Sequence, residues 1–217
     1  MRRLTKGTEP EVLVTNGAQW NKEYEEAHRA GTLGPRHEHW RHGDIRGALS
    51  AETLRKCAYC EGFVGDVSYP HVEHIKPKSH FPGLSHVWTN LTWACEPCNK
   101  KKGDYYDQSE PVLDPYEDEA TEHLDFFGGI VTVKSNSTRG EITRTLLQLN
   151  RIDLAYSRLS RLMSIEDLYD KWKAADDPLR DVLAKAIRTN VLEGEFTATV
   201  TQFLEHVGFP MAGESID

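Results

Sequence analysis

All four cysteines of this chain fall in two Cys-x-x-Cys pairs, Cys57/Cys60 and Cys95/Cys98, and the thirty-four residues between the pairs hold a His71-Val-Glu73-His74 segment. No other feature restricts the fold as much. Bringing Cys60 to Cys95 closes a long loop at an entropic cost, which four thiolates on two tight turns offset by holding a tetrahedral metal ion. Zinc suits soft ligands at this spacing. A site closed by Cys57, Cys60, Cys95 and Cys98 has no open coordination position, so this zinc is expected to be structural and any catalytic metal to be a second ion. The competing reading is four buried or redox-active cysteines. A thioredoxin-like pair, however, needs one CxxC in a βαβ context that is absent here.

With 217 residues, 38% hydrophobic and 28% charged, the chain can bury a real core in one globular unit or a small domain with an extension. No apolar run approaches the ~20 residues that a membrane span needs. The opening MRRLTKGTEPEVLV has neither the apolar segment nor the small-residue cleavage site of a secretory signal. Reduced thiols and no export signal point to the cytoplasm.

A net charge of −8 argues at first sight against a nucleic-acid binder. The charge is unevenly spread. From Arg55 to Gly103, seven lysines and arginines meet four acids, a local +3 that leaves −11 for the remainder. Such a chain can touch phosphate, with modest and salt-sensitive unaided affinity, while its acidic remainder suits a protein partner.

The pattern predicts an α+β chain. Residues 1–50 read as an N-terminal extension, helical around Trp20–His28 and loop-like through Gly31, Gly34 and Pro35. Residues 51–110 form a metal-rich catalytic module of two short strands and a helix, entered by a helix over Ile45–Lys56 with Ser50 as a cap candidate for its second part. Residues 111–217 comprise a β-hairpin around Gly128-Gly129 and a mainly helical half. In that half Ile142, Leu146, Leu149, Ile152 and Leu159 mark an apolar stripe. Further helices are expected over Ser164–Ala175, Pro178–Gly194 and Glu195–Val207. The acidic run after Tyr116 is expected in solvent.

Inside the cysteine frame the residue types suit phosphodiester hydrolysis, which needs an activated water and neutralisation of charge on phosphate and leaving oxygen. A hard cation such as Mg²⁺ or Mn²⁺ supplies the second, and Glu73 and Asn99 offer it oxygen donors. His74 is expected on the opposite side of the strand from Glu73, as a neutral imidazole able to take a proton. Lys76 or Lys78 can approach a phosphate, whereas the Lys100–Lys102 run is as readily a solvated face. Asn99 is alternatively a helix cap, and Asn90 is structural rather than a ligand. His37, His39 and His42 read as surface residues.

Cys-x-x-Cys, Glu-His-Ile-x-Pro, Asn-Leu and Cys-x-x-Cys-Asn-x-x-Lys-Gly together, from Cys57 to Gly103, resemble the HNH endonucleases of the ββα-metal type with an attached zinc ribbon. The resemblance implies that Glu73 and Asn99 bind the catalytic metal, that His74 is the general base, and that Asn90 orders the loop and orients the histidine. His71 departs from the pattern; whether it is a further metal or phosphate contact stays open. A wider set (MRRLTKGTEP, CAYCE, HVEHIKPKS, WTNLTWACEPCNKKKG, LDPY and Leu149-Asn150-Arg151…Leu154…Arg158) is similar to the HNH subunit of Septu-type and retron-linked antiphage defence systems. That likeness implies a DNA substrate, an ABC-type ATPase partner and, in the retron versions, a reverse transcriptase with its RNA–DNA product. The alternative is a non-catalytic zinc-ribbon module that binds nucleic acid or protein; it predicts one class of metal and leaves the Glu73-His74 pair unexplained. A zinc deaminase would share His71-Val-Glu73, but it requires Pro-Cys-x-x-Cys, whereas here the proline lies within the pair (Cys95-Glu-Pro97-Cys98) and Cys57 and Cys60 would have no role.

Overall fold

The computed structural model describes residues 1–65 and 69–211. Among the described residues it is an α+β arrangement of two small antiparallel hairpins and seven α-helices. Helices α1 (Glu11–Arg29) and α2 (Gly43–Glu52) precede strand β1 (Pro70–His74). Strand β2 (Leu91–Cys95) pairs with β1, setting Pro70 opposite Cys95 and His74 opposite Leu91, and runs straight into α3 (Glu96–Lys102). Pro97 sits in the first turn of α3, where a missing N–H costs nothing.

β1 and β2 are joined by a long loop, not a tight turn, and Asn90 organises that loop. Its Oδ1 accepts from the Lys76 amide at 2.8 Å, and its Nδ2 donates to the carbonyls of Lys76 (3.1 Å) and Leu84 (3.0 Å). One side chain thus satisfies three backbone groups of the loop.

The N-terminal residues and the LDPY turn clamp the outside of β2. Lys6 donates to the Leu91 carbonyl (2.6 Å) and pairs with Glu52 (3.1 Å), with its ammonium 3.9 Å from the Trp88 ring centre. Tyr116 bonds both Thr92, at 2.8 Å, and Glu52. Sequence features more than a hundred positions apart therefore meet on one strand.

The second hairpin pairs β3 (Leu124–Phe127) with β4 (Ile130–Val133). A Cβ on Gly129 at its tip would come within 2.5 Å of the Ala155 carbonyl oxygen, so only glycine permits this approach to the helix behind it. That helix, α5 (Ile152–Ala174), follows α4 (Thr138–Leu146), and α6 (Leu179–Glu193) and α7 (Thr197–His206) complete the chain. One apolar core runs from Met1 through Trp40, Trp88 and Leu124 to Phe196. A second, around Leu162, Ile165, Ile187 and Leu204, binds α5, α6 and α7. Lys56 reaches from the first region to the last two helices, donating to the Leu192 carbonyl (2.7 Å) and to Thr197 (3.0 Å). No helix among the described residues is long and apolar enough to cross a membrane.

Several local expectations differ from the structure. Ser50 lies inside α2, whose N-cap is His42. A single long α5 covers the break expected at Ser164. Leu149 is buried, but Ile152 and Leu159 are exposed: the chain turns through Gln148 at positive φ, so the stripe does not continue across two helices. In the acidic run, Ala120 is buried and Asp118 is bridged by Arg139. His37 is buried and held by Gly34, and His39 stacks on Trp20 at 4.4 Å, so of the three loop histidines only His42 is exposed.

Candidate functional site

The two Cys-x-x-Cys turns meet with all four Sγ atoms within 4.8 Å of one another and all four cysteines buried. Cys60 and Cys95 Sγ lie 3.7 Å apart, far too long for a disulfide bond. Four ligands at zinc–sulfur distances of about 2.3 Å around a tetrahedral centre stand roughly 3.8 Å from each other, which matches this separation. The set can hold a metal ion such as zinc. The first turn is shaped by its backbone: Ala58 N–H donates to the Trp93 carbonyl on β2 (2.9 Å), and Glu61 adopts a left-handed conformation (φ 63°) that brings Cys57 N–H to the Gly62 carbonyl.

Four thiolates around a divalent ion would carry a net charge of −2, and arginines stand beside the cysteines. Arg151 places guanidinium nitrogens 3.8 Å from both Cys98 Sγ and Cys60 Sγ. Arg158, buried about two helix turns later, donates to the Leu149 carbonyl at 2.6 Å. Burial pushes its guanidinium down to about 10, opposed by Cys60 and Glu61. Asn150, the residue before Arg151, clasps Val131, accepting from its N–H (2.7 Å) and donating to its carbonyl (2.8 Å). The Leu-Asn-Arg segment is thus a link from the C-terminal half to the cysteine cluster and the second hairpin.

On the other side of β1 and α3 a cavity of about 470 Å³ is lined by Glu73, His74, Lys78, Asn99 and Lys100, with Tyr24 and His28 of α1 in its wall. Glu73 and His74 were expected on opposite sides of the strand; the cavity wraps the strand's end and takes in both. Glu73 is buried, and burial raises its carboxyl above the ordinary carboxylate range against the pull of Lys102, whose Nζ lies 2.6 Å from Oε1. Lys102 is itself buried and also donates to the His74 carbonyl at 2.9 Å. The lysine run is therefore not uniformly solvated: Lys100 and Lys101 are exposed, while Lys102, one turn after Cys98, points inward.

His74 Nε2 lies 2.9 Å from the Ser85 carbonyl. A carbonyl only accepts, so Nε2 carries the proton and Nδ1 has the free lone pair. Burial, with the Lys78 charge adding to it, lowers this imidazole to about 3, which keeps it neutral at physiological pH. The Trp40 ring packs edge-on against it at 4.8 Å and 89°. Asn99 does not cap α3; Cys95 holds that position. The Asn99 Nδ2 instead donates to His71 Nδ1 at 3.0 Å, leaving the carboxamide oxygen for other partners. His71 is thereby an orienting neighbour of Asn99. Asn90 lies in the loop and is bonded to backbone.

Sequence reasoning did not single out Trp40, Tyr24 or Arg151 as parts of these sites. Lys102 alone carried a local signal, its four-residue spacing from the buried Cys98 on one helix face.

Residues 57–105 match the HNH endonuclease family. The chain is also similar to the Septu protein PtuB of Bacillus thuringiensis, 31% identical over 161 residues that cover 73% of this chain and 59% of the relative. The Septu protein PtuB of Bacillus mycoides strain KBAB4 is 29% identical over 160 residues, covering 59% of this chain and 54% of the relative. The chain thus spans somewhat over half the length of these two relatives. By the segment that carries both the cysteine cluster and the Glu73 cavity, it is similar to the HNH endonucleases.

Proposed function

We propose that this protein is a metal-dependent HNH endonuclease that hydrolyses phosphodiester bonds of DNA. The observation that carries the reading is the convergence of Glu73, His74 and Asn99 on one cavity, behind a β-hairpin and helix braced by four cysteines. Structural zinc would sit at Cys57, Cys60, Cys95 and Cys98. Glu73 and Asn99 would hold Mg²⁺ or Mn²⁺ through oxygen, a donor set that suits a hard cation with water and phosphate completing its shell. When bound, that cation neutralises charge on the phosphate and the leaving oxygen.

The remaining chemistry belongs to the side chains. His74 Nδ1 accepts the proton of the attacking water, whose oxygen forms the new bond to phosphorus as the bond to the leaving sugar oxygen breaks. The Ser85 carbonyl fixes the tautomer that this requires, and Trp40 fixes the ring plane. Lys102 pairs with Glu73 and opposes the rise that burial gives its carboxyl. Lys78 and Lys100 stand at the cavity for phosphate oxygens, and Asn90 holds the loop that carries Ser85.

The wider reading is an effector nuclease of a Septu-type antiphage defence complex, cytoplasmic and gated by an ABC-type ATPase subunit, with a retron reverse transcriptase and its RNA–DNA product as a narrower variant. Similarity to the two PtuB proteins supports the Septu part. The test is cleavage of plasmid and single-stranded DNA in Mg²⁺ by the wild type and by His74→Ala, alone and with the neighbouring gene's product. Cleavage that requires His74 supports the mechanism; equal cleavage by both proteins refutes it. Failure to co-elute with that product removes the gated complex.

A further inference from the structure

A second cavity, of about 340 Å³, adjoins the first and shares Lys78 and Asn99 with it. Its walls include His71 of β1, and Glu38, Arg41 and Arg46 from the segment before the cysteine frame. Three permanent cations therefore face one carboxylate, in a chain whose net charge is −8. Glu38 occupies only part of one of them: its Oε2 lies 2.8 Å from Arg41 Nε, which leaves both terminal amino groups of that guanidinium unengaged by the pair. Arg46 is exposed beside the Trp93 ring, and the Lys78 ammonium stands 5.5 Å from the Trp40 ring centre, a rigid aromatic support.

Exposed arginines are most often merely solvated. These differ by their place: they line a concave groove, the groove is continuous with the cavity of Glu73 and His74, and Asn99 is at the junction. Nothing in the proposed cleavage chemistry uses them.

We propose that a DNA strand held for cleavage continues from the Glu73 cavity into this groove, where Arg41 and Arg46 bind phosphates adjacent to the scissile one. The inference rests on the nuclease reading for its substrate and extends it to residues outside the matched family segment. It makes the N-terminal helices part of the nucleic-acid surface. Forked guanidinium groups suit bidentate phosphate contacts, which position a strand without reading its sequence.

The test is binding of a fluorescein-labelled DNA duplex of about twenty base pairs, followed by anisotropy over a range of salt concentrations in the His74→Ala background. Arg41→Ala with Arg46→Ala should weaken binding about tenfold or more near physiological salt and reduce the salt slope by about two. Arg46→Glu should weaken binding further than Arg46→Ala. Lys171→Ala with Lys173→Ala removes the same charge from the end of α5 and should leave affinity and slope as they were. An unchanged arginine variant, or equal weakening by both pairs, overturns the groove. Intact zinc content and melting temperature establish that the exposed substitutions leave the fold alone. The two readings fail separately. Cleavage by the wild type with binding indifferent to the arginines sinks the groove and leaves the nuclease; arginine-dependent binding without any cleavage does the reverse.

Discussion

The cysteine cluster and the Glu73 cavity share α3, yet they differ in kind. Both are buried polar centres, and each has a cation of this chain against its anionic groups: Arg151 at 3.8 Å from two thiols, Lys102 at 2.6 Å from a carboxylate. The first uses all its donors on one point and is sealed. The second leaves donors facing a cavity. Cys98 and Asn99 are consecutive, and one helical step of about 100° turns them toward opposite centres. A seven-residue helix thus serves both centres, with Cys98 in the cluster and Asn99 at the cavity.

The largest effect that can break this contrast is metal removal. Chelation at neutral pH should abolish the cooperative melt, because binding of structural zinc contributes on the order of 10 kcal/mol to folding; near-ultraviolet dichroism of buried Trp88 and Trp93 reports it. A melt insensitive to chelator would mean that the thiols pack without an ion. Next, His74→Ala should cost about 10²–10⁴ in cleavage rate while zinc content, measured by mass spectrometry, stays at the wild-type level. Loss of zinc with His74 would show the two centres to be one.

Lys102→Ala should destabilise by about 3–5 kcal/mol in denaturant melts, since it leaves the buried Glu73 carboxyl without its ion-pair partner. Combining it with Glu73→Gln should recover much of that loss, and absence of recovery would deny the pairing. The smallest effect is expected of Asn90→Ala, about 1–3 kcal/mol, for the Lys76 amide and the carbonyls that lose their partner. Its cleavage should fall as well, because the loop presents Ser85 to His74.

Legibility followed distance along the chain. The thiol pairs, the hairpin-helix module and the second hairpin rest on short-range spacing, and the structure has them where the pattern put them. Trp40 against His74 and Arg151 against Cys98 join segments that no local period relates. Helix ends suffered for a related reason. Ser50 is a good cap by type, but Asp44 and its neighbours begin α2 earlier. Ile152 and Leu159 continue a numerical stripe whose geometric continuity ends at the Gln148 turn.

The clasp of Asn150 on Val131 has a consequence for solubility. A two-stranded sheet has two open sides, each a row of amides and carbonyls on which a foreign strand can add. The Asn150 carboxamide, with one donor and one acceptor, occupies the outward-facing groups at the centre of β4 as an incoming strand would. The chain carries its own stopper against edge-to-edge self-association, at the position where apolar Ile130 and Phe127 would otherwise make such pairing attractive.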